Sequence, residues 1–198
     1  LNIPIIEDCA QYLTRFNSPS IIKTFSFYAT KVISTGHGGA ISTNSKAIAN
    51  KIKDLTKYDQ RTSYKTAYNF SFTDLQAALG LAQLNKLDFF TNRRNKIANL
   101  YNKAFNNKPQ STGFPFRYII KLNSKQQREQ LEKNLKQNQI TAEQPVWKPL
   151  HQLLNLPKEN FPNTEQAHDT LLSIPIYPAL TDEEIQYVIN TVLKYINL

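Results

Sequence analysis

Three of the five glycines in the chain fall within one short segment, Thr35-Gly36-His37-Gly38-Gly39. Glycine tolerates positive φ angles and close backbone approach, so this clustering marks a place where the chain turns tightly or passes very near another group. A tight turn between two strands would explain the pattern without any ligand. The segment therefore predicts a turn and leaves open whether that turn also contributes to a site.

Short apolar runs on both sides of the glycine segment predict strands. Residues 3–6 form a continuous apolar run that is typical of a buried parallel strand, and Glu7 and Asp8 follow at its carboxyl end. Residues 25–28 predict a second, aromatic strand, and residues 39–43 predict a third. The first part of the chain is therefore predicted to be an α/β unit, with a helix to follow the third strand.

Two capping boxes predict where later helices begin. Thr73 with Gln76 opens a long helical stretch to about residue 105, in which Gly80 suggests close packing against a neighbour. Thr181 with Glu184 opens the last helix. The apolar stripe of that helix is Ile185, Val188, Ile189, Val192, Leu193 and Ile196.

A break at residues 106–109 divides the chain into two predicted domains. Residues 1–105 form the α/β part, and residues 106–198 form a small α+β domain with a strand at 117–122 and a helix opened by Ser124. The fold class predicted from this order of elements is α/β followed by α+β.

Composition excludes several classes of protein. The net charge is +9, but the basic residues are scattered, and Arg93-Arg94 is the one adjacent pair, so we expect a solvated basic surface or attraction of an anionic small substrate and no nucleic-acid partner. No apolar run is long enough to span a membrane, and no signal peptide is visible. The single Cys9 allows no internal disulfide or zinc-finger spacing and indicates a reducing compartment, so we predict a cytoplasmic protein without a metal site.

Two residues stand where chemistry is expected. Lys31 follows the aromatic strand and precedes the glycine turn; a lysine buried there would have a lowered pKa and could form a Schiff base, although an ordinary structural lysine is the alternative. Asp8 ends the first strand, at the edge where open α/β sheets bind ligands. It could hold a pyridinium nitrogen protonated, or it could be a turn-forming aspartate.

Several motifs together resemble the DegT/DnrJ/StrS-type sugar aminotransferases, which are fold-type-I enzymes of the aspartate aminotransferase superfamily that use pyridoxal phosphate (PLP). The resemblance covers essentially the whole chain, with the motifs in the family's order. The motifs are Ile5-Ile6-Glu7-Asp8-Cys9-Ala10-Gln11, Phe25-Ser26-Phe27-Tyr28-Ala29-Thr30-Lys31, Thr35-Gly36-His37-Gly38-Gly39-Ala40, Tyr68-Asn69-Phe70 with Asp74-Leu75-Gln76-Ala77-Ala78, and Leu172-Ser173-Ile174-Pro175-Ile176-Tyr177-Pro178-Ala179-Leu180-Thr181-Asp182-Glu183-Glu184.

The resemblance implies roles around the cofactor ring. Lys31 would form the Schiff base with PLP and act as the general base of the proton shift. Asp8 would pair with the pyridine nitrogen, Gln11 would bond the phenolic oxygen, and Ala10 would lie against the ring face. Since related dehydratases replace the lysine with histidine, the retained Lys31 favours transamination.

The resemblance also implies a shared site at a dimer interface. Ser26 would contact the cofactor phosphate, and Asn69 would reach the phosphate held by the neighbouring subunit of a homodimer. His37 is expected to be a turn residue. His151 and Trp147 lie in a segment that the family places near the mouth of the site; we expect packing roles, with substrate contact as the alternative.

The implied function is transfer of an amino group, from glutamate, to a nucleotide-linked keto-sugar for polysaccharide or glycoconjugate synthesis. The implied fold is the C-terminal part of the family's large domain, a three-layer αβα sheet, followed by its small domain. Family members carry about as much chain again ahead of the position of Leu1. We therefore expect an N-terminally truncated member, with a catalytically inactive remnant or a partner subunit as the alternative.

Overall fold

The computed structural model describes residues 3–13, 18–106 and 114–196. The chain divides into two compact units, Leu1–Phe89 and Phe90–Leu198. The break at residues 106–109 predicts a boundary after residue 105, about sixteen residues beyond the division after Phe89. The difference arises because Ile97 and Tyr101, on the helix that follows Phe89, are fully buried in the core of the second unit.

The first unit contains a three-stranded sheet with strand order β1-β2-β3. Strand β2 lies in the middle; it runs parallel to β1 and antiparallel to β3. The strands and helices of this unit are β1 Ile6–Asp8, β2 Ile22–Ser26, β3 Gly39–Ser42, α1 Lys46–Thr56 and α2 Asp74–Leu84.

The first two strands differ from their predictions: β2 covers residues 22–26 instead of 25–28, and β1 differs in both position and burial. Strand β1 begins where the predicted strand ended, because its register is set by pairing of Ile6 with Ile22 rather than by the apolar run. The prediction that this strand is buried is wrong for the described structure: Ile6 is 65% exposed, and Ile3 and Ile5 are also exposed. An apolar run shows that a strand can be buried, but among the described residues no element covers the side chains of Ile3, Ile5 and Ile6.

The second unit is built on a two-stranded antiparallel sheet packed by helices. Helix α3, which begins just before the unit boundary, contributes its buried face to this core. The elements are α3 Leu87–Ala104, β4 Tyr118–Lys121, α4 Lys125–Gln137, α5 Leu150–Leu153, a 3-10 turn Lys158–Asn160, α6 Pro162–Thr170, β5 Leu171–Ile174 and α7 Asp182–Ile196.

The helix starts predicted from capping residues are confirmed. Thr73 and Gln76 make both hydrogen bonds of the capping box of α2, and Thr181 and Glu184 make both bonds of the box before α7. The single long helix predicted after Thr73 is instead two helices separated by residues 85–86. The buried stripe of α7 matches its predicted spacing and consists of Ile185, Val188, Ile189 and Val192. The mixed helix and strand content confirms the predicted α/β class.

Candidate functional site

Two parallel strands of the first unit end at one edge of the sheet. Asp8 is the last residue of β1 and pairs with Thr24 of β2, and β2 ends two residues later at Ser26. The carboxyl ends of parallel strands are where open α/β sheets collect their ligand-binding residues. The sequence predicts Asp8 at the end of its strand but places Ser26 inside a strand at residues 25–28, and the structure ends both strands at this edge.

Asp8 initiates a turn that carries two further candidate residues. Its Oδ1 accepts a hydrogen bond from the Ala10 backbone N–H at 2.9 Å, and the described residues show no partner for its other oxygen. Ala10 is half-buried and Gln11 is exposed. Between them and the strand, Cys9 donates its N–H to the Thr24 carbonyl at 2.8 Å and is buried. Burial raises the pKa of the Cys9 thiol, which fits a small residue packed inside the unit.

The two candidate phosphate ligands each have their acceptor atom engaged within the chain. Ser26 Oγ accepts from the Tyr28 N–H at 3.3 Å, and Asn69 Oδ1 accepts from the Ser71 hydroxyl at 2.8 Å. A serine hydroxyl still has its proton to donate, and an asparagine side chain still has its NH₂ group. Both side chains are therefore suited to donate hydrogen bonds to an anionic group such as a phosphate.

Lys31 lies in a closed loop that joins β2 to β3. The loop is closed by the Phe27 N–H, which donates to the Gly38 carbonyl, and the Phe27 carbonyl, which accepts from the Thr35 N–H, both at 2.9 Å. Within it the Lys31 N–H donates to the Tyr28 carbonyl at 2.9 Å, and the lysine is half-buried. The loop thus starts at the candidate edge of the sheet, and Lys31 is five residues beyond Ser26.

The glycines let this loop close. Gly36 and Gly38 have φ angles of +79° and +126°, which side-chain-bearing residues rarely adopt. His37 between them is exposed, and its carbonyl accepts from the Thr35 hydroxyl at 2.6 Å. The turn predicted from the glycine cluster is therefore confirmed, with His37 as a turn residue.

Asn69 is held by a different element. It lies in the segment between α1 and α2, where the neighbouring Tyr68 N–H donates to the Leu55 carbonyl of α1 at 2.8 Å. Asp54 of the same helix pairs with Lys65 and with Arg61 of this segment. The hydrogen bond from Lys65 in the first place, and that from Arg61 in the second, hold the pKa of Asp54 below its usual value. This segment is therefore fastened to the carboxyl end of α1.

Sequence analysis missed the residues of α2 that contact the lysine loop. Gln83 hydrogen-bonds the backbone of Ser34, and Gln76 hydrogen-bonds the carbonyl of His37. The available signal was the spacing of Gln76, Gly80 and Gln83, which puts all three on one face of the helix.

In the second unit, His151 is a packed residue. It is buried, its ring stacks on Phe161 at 4.5 Å between centroids, and its Nε2 lies 2.6 Å from Glu165 Oε1. Hydrogen bonds from Gln152 first and His151 second hold the pKa of Glu165 below its usual value. The packing role expected for His151 is therefore supported. Trp147 is instead largely exposed.

The part of the chain that the structure describes holds no cluster of His, Cys, Asp and Glu that could bind a metal ion. Across the same residues no helix is long and apolar enough to cross a membrane.

Comparison with known proteins relates the whole chain to one family. The model of the DegT/DnrJ/EryC1/StrS aminotransferase family matches residues 1–193. The uncharacterised protein MJ1066 of Methanocaldococcus jannaschii is 30% identical over 98% of this chain and 60% of its own length. GDP-perosamine synthase of Escherichia coli O157:H7 is 28% identical over 98% of this chain and 58% of its own length.

A solved structure shares the fold. The structure of Spr1654 from Streptococcus pneumoniae in the PMP form superposes with a TM-score of 0.86 at 23% identity, over 98% of this chain and 57% of that one. A PLP form of the same protein gives the same TM-score. The chain thus spans about three fifths of the length of the proteins it matches.

Proposed function

The chain belongs to the DegT/DnrJ/EryC1/StrS aminotransferase family, and from this premise we propose that it acts as a PLP-dependent sugar aminotransferase in the cytoplasm. It transfers an amino group from glutamate to a nucleotide-linked keto-sugar, in the synthesis of a polysaccharide or glycoconjugate. In this proposal the part predicted from the sequence as residues 1–105 belongs to the cofactor-binding large domain, and residues 106–198 form the small domain.

One observation carries the proposal. Within a match that spans residues 1–193, a carboxylate and a hydroxyl end two parallel strands at one edge, and a half-buried lysine lies on the loop that leaves this edge. A carboxylate, a hydroxyl and an amine are the groups that PLP requires for its ring nitrogen, its phosphate and its carbonyl carbon, respectively.

The donor chemistry of the site suits the cofactor. PLP, when bound, supplies an electron sink that stabilises a carbanion next to the amino nitrogen. Asp8 holds the proton on the pyridine nitrogen, through the carboxylate whose Oδ1 is already oriented by the Ala10 N–H. Gln11, which is exposed in the turn after Asp8, would donate to the phenolic oxygen, and Ala10 would offer a small apolar side chain to the ring.

Two side chains bind the phosphate. Ser26 donates its hydroxyl proton, which the bond from the Tyr28 N–H leaves unused. Asn69 donates its side-chain amide to the phosphate held by the neighbouring subunit of a homodimer. The Ser71 hydroxyl donates to Asn69 Oδ1, so the NH₂ group of Asn69 points away from Ser71 and stays available as a donor.

Lys31 performs the proton transfer. Its Nζ would hold the cofactor by a covalent bond and, once released, would be the base that moves a proton from the α-carbon of the amino donor to the cofactor carbon bound to the same nitrogen. The position of Lys31 supports this role, because the lysine is half-buried on the loop that leaves the edge where Asp8 and Ser26 end their strands.

Two observations support a nucleotide-linked sugar as substrate: the net charge of this chain and the name of one of its relatives. A net charge of +9 attracts a nucleotide diphosphate. The name GDP-perosamine synthase, borne by the E. coli relative, refers to a nucleotide-linked amino sugar.

Exposed apolar side chains support a second candidate, a subunit that completes its site with another polypeptide or is inactive alone. Leu75 on α2 is 83% exposed, and Ile6 and Ile41, on the two outer strands of the sheet, are also exposed. Apolar area of this kind on a folded unit marks an interaction surface. The first candidate is a homodimer, so the purified chain alone should be active. The second candidate needs a different polypeptide or has no activity, so the purified chain alone should be inactive.

The test is the amino-donor half-reaction of the purified chain loaded with PLP. Adding glutamate should shift the cofactor absorbance to that of the amine form, and Lys31→Ala should abolish the shift. Lys51→Ala, which removes an exposed lysine of α1, is the matched control and should react like wild type. A chain that binds PLP but shows no glutamate-dependent shift would favour the second candidate.

A further inference from the structure

We propose that Gln83 of α2 is a positioning residue for Lys31: its side-chain amide fixes the backbone of the loop that carries the lysine. The inference rests on the proposed function, since it concerns how Lys31 is presented to the cofactor. It adds a residue that acts through the backbone of the loop and lies more than fifty positions from Lys31 in the sequence.

Gln83 holds one residue of the loop from two sides. Its Oε1 accepts from the Ser34 N–H at 3.1 Å, and its Nε2 donates to the Ser34 carbonyl at 2.5 Å. Both backbone polar groups of Ser34 are thereby paired with a single rigid amide, much as a neighbouring strand would pair them. Ser34 lies only three residues after Lys31, so fixing its backbone limits where the lysine Cα can move.

The rest of the contact surface of α2 supports the same function. Gln76 Oε1 accepts from the Thr73 N–H in the capping box, while its Nε2 donates to the His37 carbonyl at 3.1 Å. Gly80 faces Thr35, whose Cγ2 would lie 3.1 Å from an added Cβ. Positions 76, 80 and 83 are spaced i, i+4 and i+7, which is one face of a helix. This face therefore contacts the loop at three successive points.

Phe72, just before α2, closes the other end of the loop. Its ring lies against Gly38, so closely that a Cβ there would overlap it, and 6.3 Å from the ring of Phe27, where the loop starts. The loop from Phe27 to Gly38 is thus held by its own hydrogen bonds and by contacts with α2 and with Phe72 just before it.

Backbone position matters because a lysine side chain is long and flexible. Its four-carbon stem gives many rotamers, so the placement of Nζ relies on a fixed Cα and on contacts near the cofactor. A reacting amine that samples a larger volume spends less time in the productive geometry, and the rate falls accordingly. Gln83 thereby affects reaction at Lys31 more than at the lysines of other segments.

The test compares wild type with Gln83→Ala, which removes both bonds, and Gln83→Glu, which keeps the length and the acceptor but sets an oxygen against the Ser34 carbonyl. Gln130→Ala is the matched control, since Gln130 is a helical glutamine whose side-chain amide donates to Asn134 of the same helix, α4. The first readout uses no cofactor: hydrogen exchange of the amides in residues 31–38. Loss of the two bonds should speed exchange there about tenfold, with the amides of β2 unchanged.

The second readout is the share of Lys31 among all lysines labelled by PLP and borohydride, mapped by peptide mass. We expect this share to fall about tenfold in Gln83→Ala and Gln83→Glu and to stay unchanged in Gln130→Ala. If Gln83→Ala does not fold, Gln83→Glu decides alone. Unchanged exchange in residues 31–38 overturns the inference. Faster exchange with an unchanged labelling share also overturns it, because the loop would then be anchored without consequence for Lys31. Diffuse labelling of wild type would overturn the proposed function, and with it the inference.

Discussion

Gly39 lies directly against the carbonyl oxygen of Phe25 in the neighbouring strand, so closely that a methyl group on Gly39 would overlap this oxygen. The contact occurs where the antiparallel pair β2-β3 begins, opposite Ser26. The glycine that ends the cluster in the sequence therefore allows the lysine loop to return to the sheet beside the candidate phosphate ligand.

Gly39→Ala should destabilise this junction. Relieving the overlap requires the two strands to separate locally, and forced overpacking of this kind costs about 1–3 kcal/mol. Urea unfolding followed by far-UV circular dichroism measures the loss. Ser42→Ala, at the exposed far end of β3, is the control and should unfold like wild type. Equal midpoints for Gly39→Ala and wild type would contradict the close contact.

Asp8→Asn should preserve the fold and slow the chemistry. Asparagine still accepts from the Ala10 N–H but carries no charge to hold a proton on the ring nitrogen. The glutamate-dependent absorbance change of the PLP-loaded chain should become about 100-fold slower. Asp59→Asn is the control, because Asp59 also accepts from a nearby backbone N–H, that of Gln60 at 2.7 Å. A rate within twofold of wild type would argue against the role of Asp8.

Truncating a core side chain of the second unit should destabilise the chain. Leu172 in β5 is fully buried between the helices of this unit, so Leu172→Ala leaves a cavity and should cost about 2–5 kcal/mol of unfolding free energy. Leu154→Ala removes the same atoms from an exposed side chain and should cost much less. Chemical denaturation of both variants decides the point; similar losses would contradict the burial described for Leu172.

Glu165 should make the second unit sensitive to acid. Its pKa is lowered in the folded chain by Gln152 and His151, so its stabilising contribution is complete above the usual glutamate value of 4.5 and is lost as the pH falls through the lower folded value. Urea midpoints measured at neutral pH and at about pH 3.5 should differ less in Glu165→Gln than in wild type. Glu159→Gln, at an exposed position, should keep the wild-type difference. An unchanged pH dependence in Glu165→Gln would contradict the assignment.

Local features of the fold could be predicted from the sequence because their causes are local. The capping box joins Thr73 and Gln76, which are three positions apart, and forms as expected. The start of β1 could not be predicted in this way, since pairing of Ile6 with Ile22 joins distant positions. Burial of the apolar run before it was predicted wrongly because burial depends on what covers a strand, which the strand's own residues do not specify.

The candidate site likewise has features that could be predicted from the sequence and contacts that could not. The residue types that suit PLP chemistry, Asp8 and Lys31 above all, could be selected from motifs and their order, and their roles stay predictions. The contact of Gln83 with Ser34 spans 49 residues and became visible only with α2 placed against the loop. A glutamine on a helix has many possible partners, so spacing alone does not identify the one it bonds.

The most direct measurement is the distribution of PLP over the 18 lysines of the purified chain. Borohydride reduction fixes each adduct, and peptide mass mapping counts them. We predict one dominant pyridoxyl peptide, containing Lys31, which disappears in Lys31→Ala without appearing elsewhere. Labels spread over many lysines in proportion to their exposure would contradict the central claim that this chain organises a PLP site around Lys31.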